Sequence, residues 1–352
     1  MASVRTSSTV LRRVVVPLVL LGGSLVVTFG VLEVSLRALY PPPARFLYPQ
    51  ESYDFDSEIG YVLRPRQTAF THDRPVRTNA LGLRDHEVDA EPAPGTVRIL
   101  ALGDSQTFGN GLDLVDTWPK QLERRAGRGR WEVINAGIPG TDTWQHEIIL
   151  RRLLTIVKPR VVVLALYVND VVPRHDPRAA ALGEQTNTSM KRLAYLAKRS
   201  SVVTWVYHRL VVPWSARHTE QSGSVEYAVL VGSQDARAER GWQQVERSLA
   251  AMKDLCEARH ASLLIAILPR RDQIAARVDG HAFNERARAV ARSHAIEAVD
   301  LLPSLSADYR VHGEALFVAW DGHNSAVTNR VIAAELGEPL QRLVSPPGGA
   351  GR

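Results

Sequence analysis

From residue 96 onward, short continuous apolar runs alternate with longer stretches in which apolar positions recur every three to four residues. The runs 97–102 (VRILAL), 131–135 (WEVIN), 161–166 (VVVLAL), 261–268 (ASLLIAIL) and 296–301 (IEAVDL) predict strands. Between and after them, 118–125, 142–155, 236–260, 281–294 and 326–343 have helical spacing, the last with a break expected near Gly337-Glu338-Pro339. The 161–166 run is apolar throughout, which suits a central parallel strand buried on both faces. Strands alternating with helices in this way predict an α/β fold: a three-layer α/β/α sandwich with a mostly parallel central sheet over 96–345.

The pattern before residue 96 is different. Residues 14–32 read VVVPLVLLGGSLVVTFGVL without a charge, close to the roughly 20 apolar residues that cross a bilayer as a helix. Arg5, Arg12 and Arg13 precede this run, and only Glu33 and Arg37 closely follow it. The positive-inside rule makes 1–13 a cytoplasmic tail and 14–36 a transmembrane signal-anchor helix. The expected product is a single-pass membrane protein with everything after the helix on the extracytoplasmic side, periplasmic or extracellular. A cleavable signal peptide has a shorter apolar region and a small-x-small site. Neither that site nor a lipobox-style cysteine follows this run. Residues 37–95 predict a linker and a small β-rich appendage, with prolines stiffening YPPPARFLYPQ, alternating short stretches over 54–89, and a hinge at EPAPG, 91–95.

The 171–235 interval is too long for an ordinary connection and reads as an insertion or lid. Within it, 190–214 places Leu193, Leu196, Val203, Trp205, Val206, Tyr207 and Leu210 among basic residues. That segment fits either an extra core helix or an amphipathic lid or second lipid contact. Asn187-Thr188-Ser189 matches a glycosylation pattern too short to carry weight, and 346–352 predicts a disordered tail.

Charge narrows the partners. The formal net charge is +6, but the arginines are scattered and no basic block interleaves with aromatics, so no nucleic-acid partner is expected. Cys256 is the single cysteine; it excludes an intrachain disulfide framework and any multi-cysteine metal site, and fits a small core residue.

The chemistry-bearing residues gather where predicted strands end. LALGDSQTFGNG, 100–111, ends a core strand at Gly103-Asp104-Ser105, and parallel sheets bind ligands at the carboxyl ends of their strands. Asp and Ser also serve as turn and capping residues, and glycine-rich stretches also cradle phosphate. However, neither GxxxxGK[ST] nor GxGxxG is present. A second stretch, Asn135-Ala136-Gly137-Ile138-Pro139-Gly140, follows the next strand and fits either a turn or an exposed backbone N–H. The third, Tyr167-Val168-Asn169-Asp170, ends the central strand and offers an amide to a developing oxyanion. The fourth, Trp320-Asp321-Gly322-His323, precedes the final helix. In an extended segment residues i and i+2 share a side, which would let Asp321 orient His323.

Taken in order, these four blocks resemble the SGNH hydrolases, the GDSL-type esterases and lipases, over roughly residues 96–340. The arrangement around Arg77-Thr78-Asn79-Ala80-Leu81-Gly82-Leu83-Arg84 resembles a leader found in some membrane-anchored bacterial members. The resemblance implies a flavodoxin-like SGNH fold with Ser105 as nucleophile and Asp321 and His323 as its partners. It further implies an oxyanion hole from Ser105, Gly140 and Asn169, with Asp104 and Asp170 in support and neither metal nor cofactor. Val168 stands where many members have glycine. The last block is Asp-x-His, where many family hydrolases have Asp-x-x-His; this spacing resembles alginate O-acetyltransferase relatives, whose block order differs. His312 and Asp300 are the fallback pair. The implied reaction is hydrolysis of an acyl ester, of a lipid or an acylated glycan. Two alternatives stand beside it: an O-acetyltransferase of an exported or envelope glycan, which would need a membrane partner as acetyl donor, and a non-catalytic glycan-binding or assembly protein.

Overall fold

The computed structural model describes residues 4–39, 47, 49–127, 129–172, 193, 196–197, 199–211, 214, 224–278, 280–318 and 321–345. Spatial contacts divide the chain into two units, Met1–Arg45 with Ser189–Arg217, and Phe46–Thr188 with His218–Arg352. The residues of YPPPARF, the Asn187-Thr188-Ser189 pattern and the 346–352 tail lie outside the described residues.

The first unit is built on one helix, Val4–Leu39, which continues through Pro17 and extends beyond both ends of the predicted span. Its Arg13–Leu39 portion contains an 18-residue window with a mean hydropathy of 2.4, none of which is buried. Near the end of this helix, the Glu33 carboxylate accepts the Ser200 hydroxyl at 2.8 Å and the Ser201 and Val202 N–H groups at 3.0 and 3.1 Å. It thereby satisfies the first donors of a short helix, Ser201–Val206. Val203, Trp205, Val206, Tyr207, Leu210 and Trp214 are all exposed. The core-helix reading of 190–214 is therefore corrected for its described residues: the apolar side chains that would have packed inside face outward.

In the second unit two antiparallel hairpins come first: β1 (Tyr53–Asp56) with β2 (Gly60–Leu63), and β3 (Thr68–Thr71) with β4 (Arg74–Arg77). They are the β-rich appendage, and Ile59, Tyr61, Leu63, Ala69 and Val76 pack into the same apolar cluster as one face of the main sheet. That sheet has five parallel strands, β5 (Val97–Gly103), β6 (Trp131–Gly137), β7 (Val161–Leu166), β8 (Ser262–Ile267) and β9 (Glu297–Asp300), in the order β6-β5-β7-β8-β9.

Strand geometry explains why the apolar runs are continuous. Alternate side chains point to opposite faces. Leu100, Leu102, Ile134, Val162, Leu164, Ile265 and Ile267 meet helices Thr143–Val157, Ala236–Glu257 and His281–Ser293 on one face. Ile99, Ala101, Val133, Val161, Val163 and Leu264 meet helices Trp118–Ala126, Leu302–His312 and Ala326–Val344 on the other. With helices on both faces, apolar side chains are needed on both sides of the strands. Cys256 is fully buried in this packing, and burial pushes its thiol up to about 12.

The closing helix departs from expectation. It runs unbroken through Gly337-Glu338-Pro339. A proline removes one intrahelical bond, and here Leu336 and Leu340, both fully buried on successive turns, carry the helix across it.

Candidate active site

The strand order reverses direction between β5 and β7, and in doubly wound sheets the crevice opens where connections leave in opposite directions. The loops after these two strands carry Ser105 and Asn169. Ser105 is the first residue of a four-residue helix, Ser105–Phe108, capped by Asp104, whose Oδ1 accepts the Gln106 N–H at 2.8 Å. The first N–H groups of any helix lack intrahelical partners, so the turn aims backbone donors outward beside the hydroxyl. The short helix lies directly on β6. A Cβ at Gly137 would stand 2.2 Å from the Phe108 nitrogen, so this approach needs glycine.

His323 arrives from a distant part of the chain. Its Nε2 lies 2.8 Å from Ser105 Oγ, and its Nδ1 lies 2.8 Å from Asp321 Oδ1. The turn that carries it is fixed over the serine helix by the Asn324 N–H, which donates to Gln106 Oε1 at 3.1 Å. Asp321 and His323 do not share an extended segment, as their spacing suggested. The chain reverses sharply here: the Val318 N–H donates to the His323 carbonyl, the Asp321 N–H donates to the Val318 carbonyl, and Gly322 takes φ +84°. The reversal, rather than strand alternation, brings carboxylate and ring together. Trp320 lies outside the described residues.

Electrostatics reinforces the contact. Burial works against the charged form of His323, yet the hydrogen bond and charge of Asp321, with the charges of Asp104 and Glu51, raise its pKa overall. Burial would raise Asp321, but hydrogen bonds from His323 and His72 outweigh it and hold the carboxyl well below its ordinary range.

Asn169 stands on the 3₁₀ turn Val168–Val171 that ends β7. Its Nδ2 donates to Asp104 Oδ2 at 2.9 Å. An amide nitrogen has two hydrogens, so one is committed to orientation and the other is available to an incoming oxygen. Asp170 stiffens the turn: its Oδ2 accepts the Tyr167 N–H at 2.7 Å while its own N–H donates to the Tyr167 carbonyl at 3.0 Å. Burial, aided by the charge of Asp104, raises the Asp170 carboxyl well above the usual carboxylate range.

Gly140 sits in the turn after β6 with φ +76°, a left-handed conformation that favours glycine. The Ile138 N–H donates to the Gly103 carbonyl at 3.0 Å and ties this turn to the serine strand. Beneath it, Thr141 Oγ1 lies 2.9 Å from Nε2 of His146, a fully buried ring whose pKa burial pulls down to about 3. Ser105, Gly140 and Asn169 thus occupy adjacent strand ends, and Ser105, His323 and Asp321 form one continuous chain of contacts. His312 and Asp300 stand apart from it. His312 is half exposed and 4.0 Å from Asp308, while Asp300 accepts from Asn284 and the Leu302 N–H.

Three residues with no site role expected from the sequence reach this constellation from the hairpin region and the stretch after it. His72, in the β3–β4 turn, places Nε2 2.8 Å from the second oxygen of Asp321. Arg84, fully buried, donates to the carbonyls of Phe108, Gly109, Leu112 and Pro75 and stacks 4.8 Å over the Phe108 ring. Burial draws its pKa down to about 10 despite the nearby Glu51 and Asp113 charges. The Tyr61 hydroxyl donates to the Pro139 carbonyl, one residue before Gly140, at 2.8 Å. Arg84 belongs to the RTNALGLR stretch that was legible as a leader; His72 and Tyr61 had no one-dimensional signal.

Solved structures similar to this one include TesA, with 20% identity over 70% of this chain and 99% of that one and a TM-score of 0.43. A putative lipolytic protein of the G-D-S-L family from Desulfitobacterium hafniense has 16% identity over 70% and 99% of the two chains, with a TM-score of 0.42. An acetyl xylan esterase, AlAXEase, has 15% identity over 69% and 100%, with a TM-score of 0.43. No curated protein matched by sequence. The family model described as GDSL-like Lipase/Acylhydrolase spans residues 101–324, from the serine strand to the residue after His323 and more than half of the chain, and the protein, an ester-hydrolysing enzyme, belongs to that family.

Proposed function

We propose that this protein is a serine esterase that removes acetyl or another acyl group through a covalent acyl-enzyme, held at the outer face of a membrane by its N-terminal helix. The observation that carries this reading is the unbroken Ser105–His323–Asp321 chain at the carboxyl end of the sheet. His323 takes the Ser105 proton as Oγ attacks the ester carbonyl, and Asp321 holds the ring with its Nδ1 hydrogen toward the carboxylate. Negative charge then collects on the carbonyl oxygen. The Ser105 and Gly140 N–H groups and the Asn169 amide stabilise it, each such donor contributing about 3 to 4 kcal/mol. His323 returns its proton to the departing alcohol, then activates a water that releases the acyl group. Lipid esters and acylated glycans both fit this chemistry.

Turnover of p-nitrophenyl acetate by the full chain in detergent, beside Ser105→Ala and His323→Ala, tests the reading. Activity in the parent that both substitutions abolish supports it. A folded parent with no hydrolysis, which transfers acetyl to a sugar hydroxyl only beside a membrane acetyl donor, would replace it with the transferase reading that the Asp-x-His spacing favours.

A further inference from the structure

Asp321 rides on the same tight turn as the histidine it supports, two residues away, with Gly322 between them. Among the described residues of that turn, none but His323 bonds the carboxylate. A clamp comes from another element: Oδ1 faces His323 Nδ1 and Oδ2 faces His72 Nε2, each at 2.8 Å. His72 is itself firmly placed. Its N–H donates to Gln50 Oε1 at 3.0 Å, and its carbonyl accepts from the Leu47 N–H at 2.8 Å and Gln50 Nε2 at 3.0 Å. Its φ is +56°, a left-handed conformation that non-glycine residues adopt rarely. The side chain is only 12% exposed.

We propose that His72 is a positioning residue for this esterase, fixing the Asp321 carboxylate so that its other oxygen stays on His323. The proposal rests on the Ser105–His323–Asp321 reading and extends it into the β-rich appendage. Removing the second donor frees the carboxylate to rotate and concentrates its charge on one oxygen, which misplaces the ring and makes it more basic. Among the described residues, the charges that act most on His323 are those of Asp321, Asp104 and Glu51.

Two substitutions in the full chain separate positioning from folding. His72→Asn tolerates the left-handed turn but is too short to reach Asp321, whereas His72→Gln carries an amide nitrogen to about the same place. With the thermal midpoint near that of the parent, His72→Asn should lower kcat by about 10²-fold, leave KM unchanged and move the acid limb of kcat/KM to higher pH. His72→Gln should retain most of kcat and the parental limb. Parental kcat and limb in His72→Asn, or an equal loss in both variants, would overturn the proposal. Parental activity in Ser105→Ala or His323→Ala would instead remove the reading beneath it.

The helix Ser201–Val206 and the turn Tyr207–Val211 are fastened to the end of the apolar helix by Glu33, and their exposed side chains include Trp205, Val206, Tyr207 and Leu210. If 14–36 spans the bilayer, Glu33 holds this face at the level where aromatic residues gather in membranes. We infer that the face is a second lipid contact, lying in the outer leaflet interface of the anchor's own bilayer.

Helix Val4–Leu39 contains no tryptophan, so quenching by lipid reads Trp205 and Trp214 against the other tryptophans. The full chain in phosphatidylcholine vesicles with brominated acyl chains should lose tryptophan emission, and the Trp205→Phe, Trp214→Phe double variant should lose little. Protein that floats with the vesicles unquenched, or equal quenching in the double variant, would overturn the contact. Protein that does not float with them would overturn the anchoring reading as well.

Discussion

The five-stranded sheet and the two hairpins before it relate to the site in different ways. The sheet delivers Ser105, Gly140 and Asn169 at three neighbouring strand ends, where continuous apolar packing on both faces fixes their positions. The hairpin region delivers no such group. It holds the elements that carry them: Arg84 grips the end of the serine helix, Tyr61 the carbonyl before Gly140, and His72 the free side of Asp321. Rigid strands aim side chains well, whereas tight turns need an outside clamp, and here a small appendage supplies it.

That contrast is open to measurement. If the sheet carries the chemistry, Ser105→Ala should lower kcat/KM by about 10⁴-fold or more while the thermal midpoint stays near that of the parent. Retained turnover would end the comparison. Next in size, Asn169→Ala should lower kcat by about 10² to 10³-fold with little change in KM, as steady-state kinetics would read. Arg84→Met should act in the opposite way. It removes the donor to three buried carbonyls, of Phe108, Gly109 and Leu112, and should lower stability by about 3 kcal/mol, seen as a lower urea midpoint at unchanged slope. A smaller and graded effect concerns pH. Only neutral His323 accepts the serine proton, and its pKa is raised, so kcat/KM should climb with pH through an apparent value above 6.5; a limb below that value would deny the Asp321 contact its influence. Smallest of all, Tyr61→Phe should lower stability by about 1 kcal/mol, with kcat falling only as far as the Gly140 turn loosens.

Much of the architecture was legible because burial leaves a periodic trace. The run 161–166 had to be buried on both faces, and all six residues of β7 are. Alternation of strand and helix implied the layers, and the uncharged 14–32 run implied a single long apolar helix. Where local rules failed, tertiary packing overrode them. Pro339 suggested a break that Leu336 and Leu340 bridge, and the 190–214 segment looked as much like core as like surface because an amphipathic pattern does not say what covers it. Asp321 and His323 were singled out by spacing, but an extended backbone was the wrong reason for their proximity: a glycine-containing reversal brings them together.

By itself the sequence determined the order of strands and helices, the apolar N-terminal helix and the four short blocks at strand ends, since each is written in neighbouring residues. Tertiary structure decided the contacts among those blocks. Ser105 and His323 are 218 positions apart, and no periodicity links them; packing of the sheet and its closing helix sets their 2.8 Å separation. The same holds for His72, Tyr61 and Arg84, whose roles depend on which carboxylate or carbonyl the fold brings within reach. A hydrogen bond needs a partner at a distance and an angle, and those are properties of the packed chain rather than of any stretch of it.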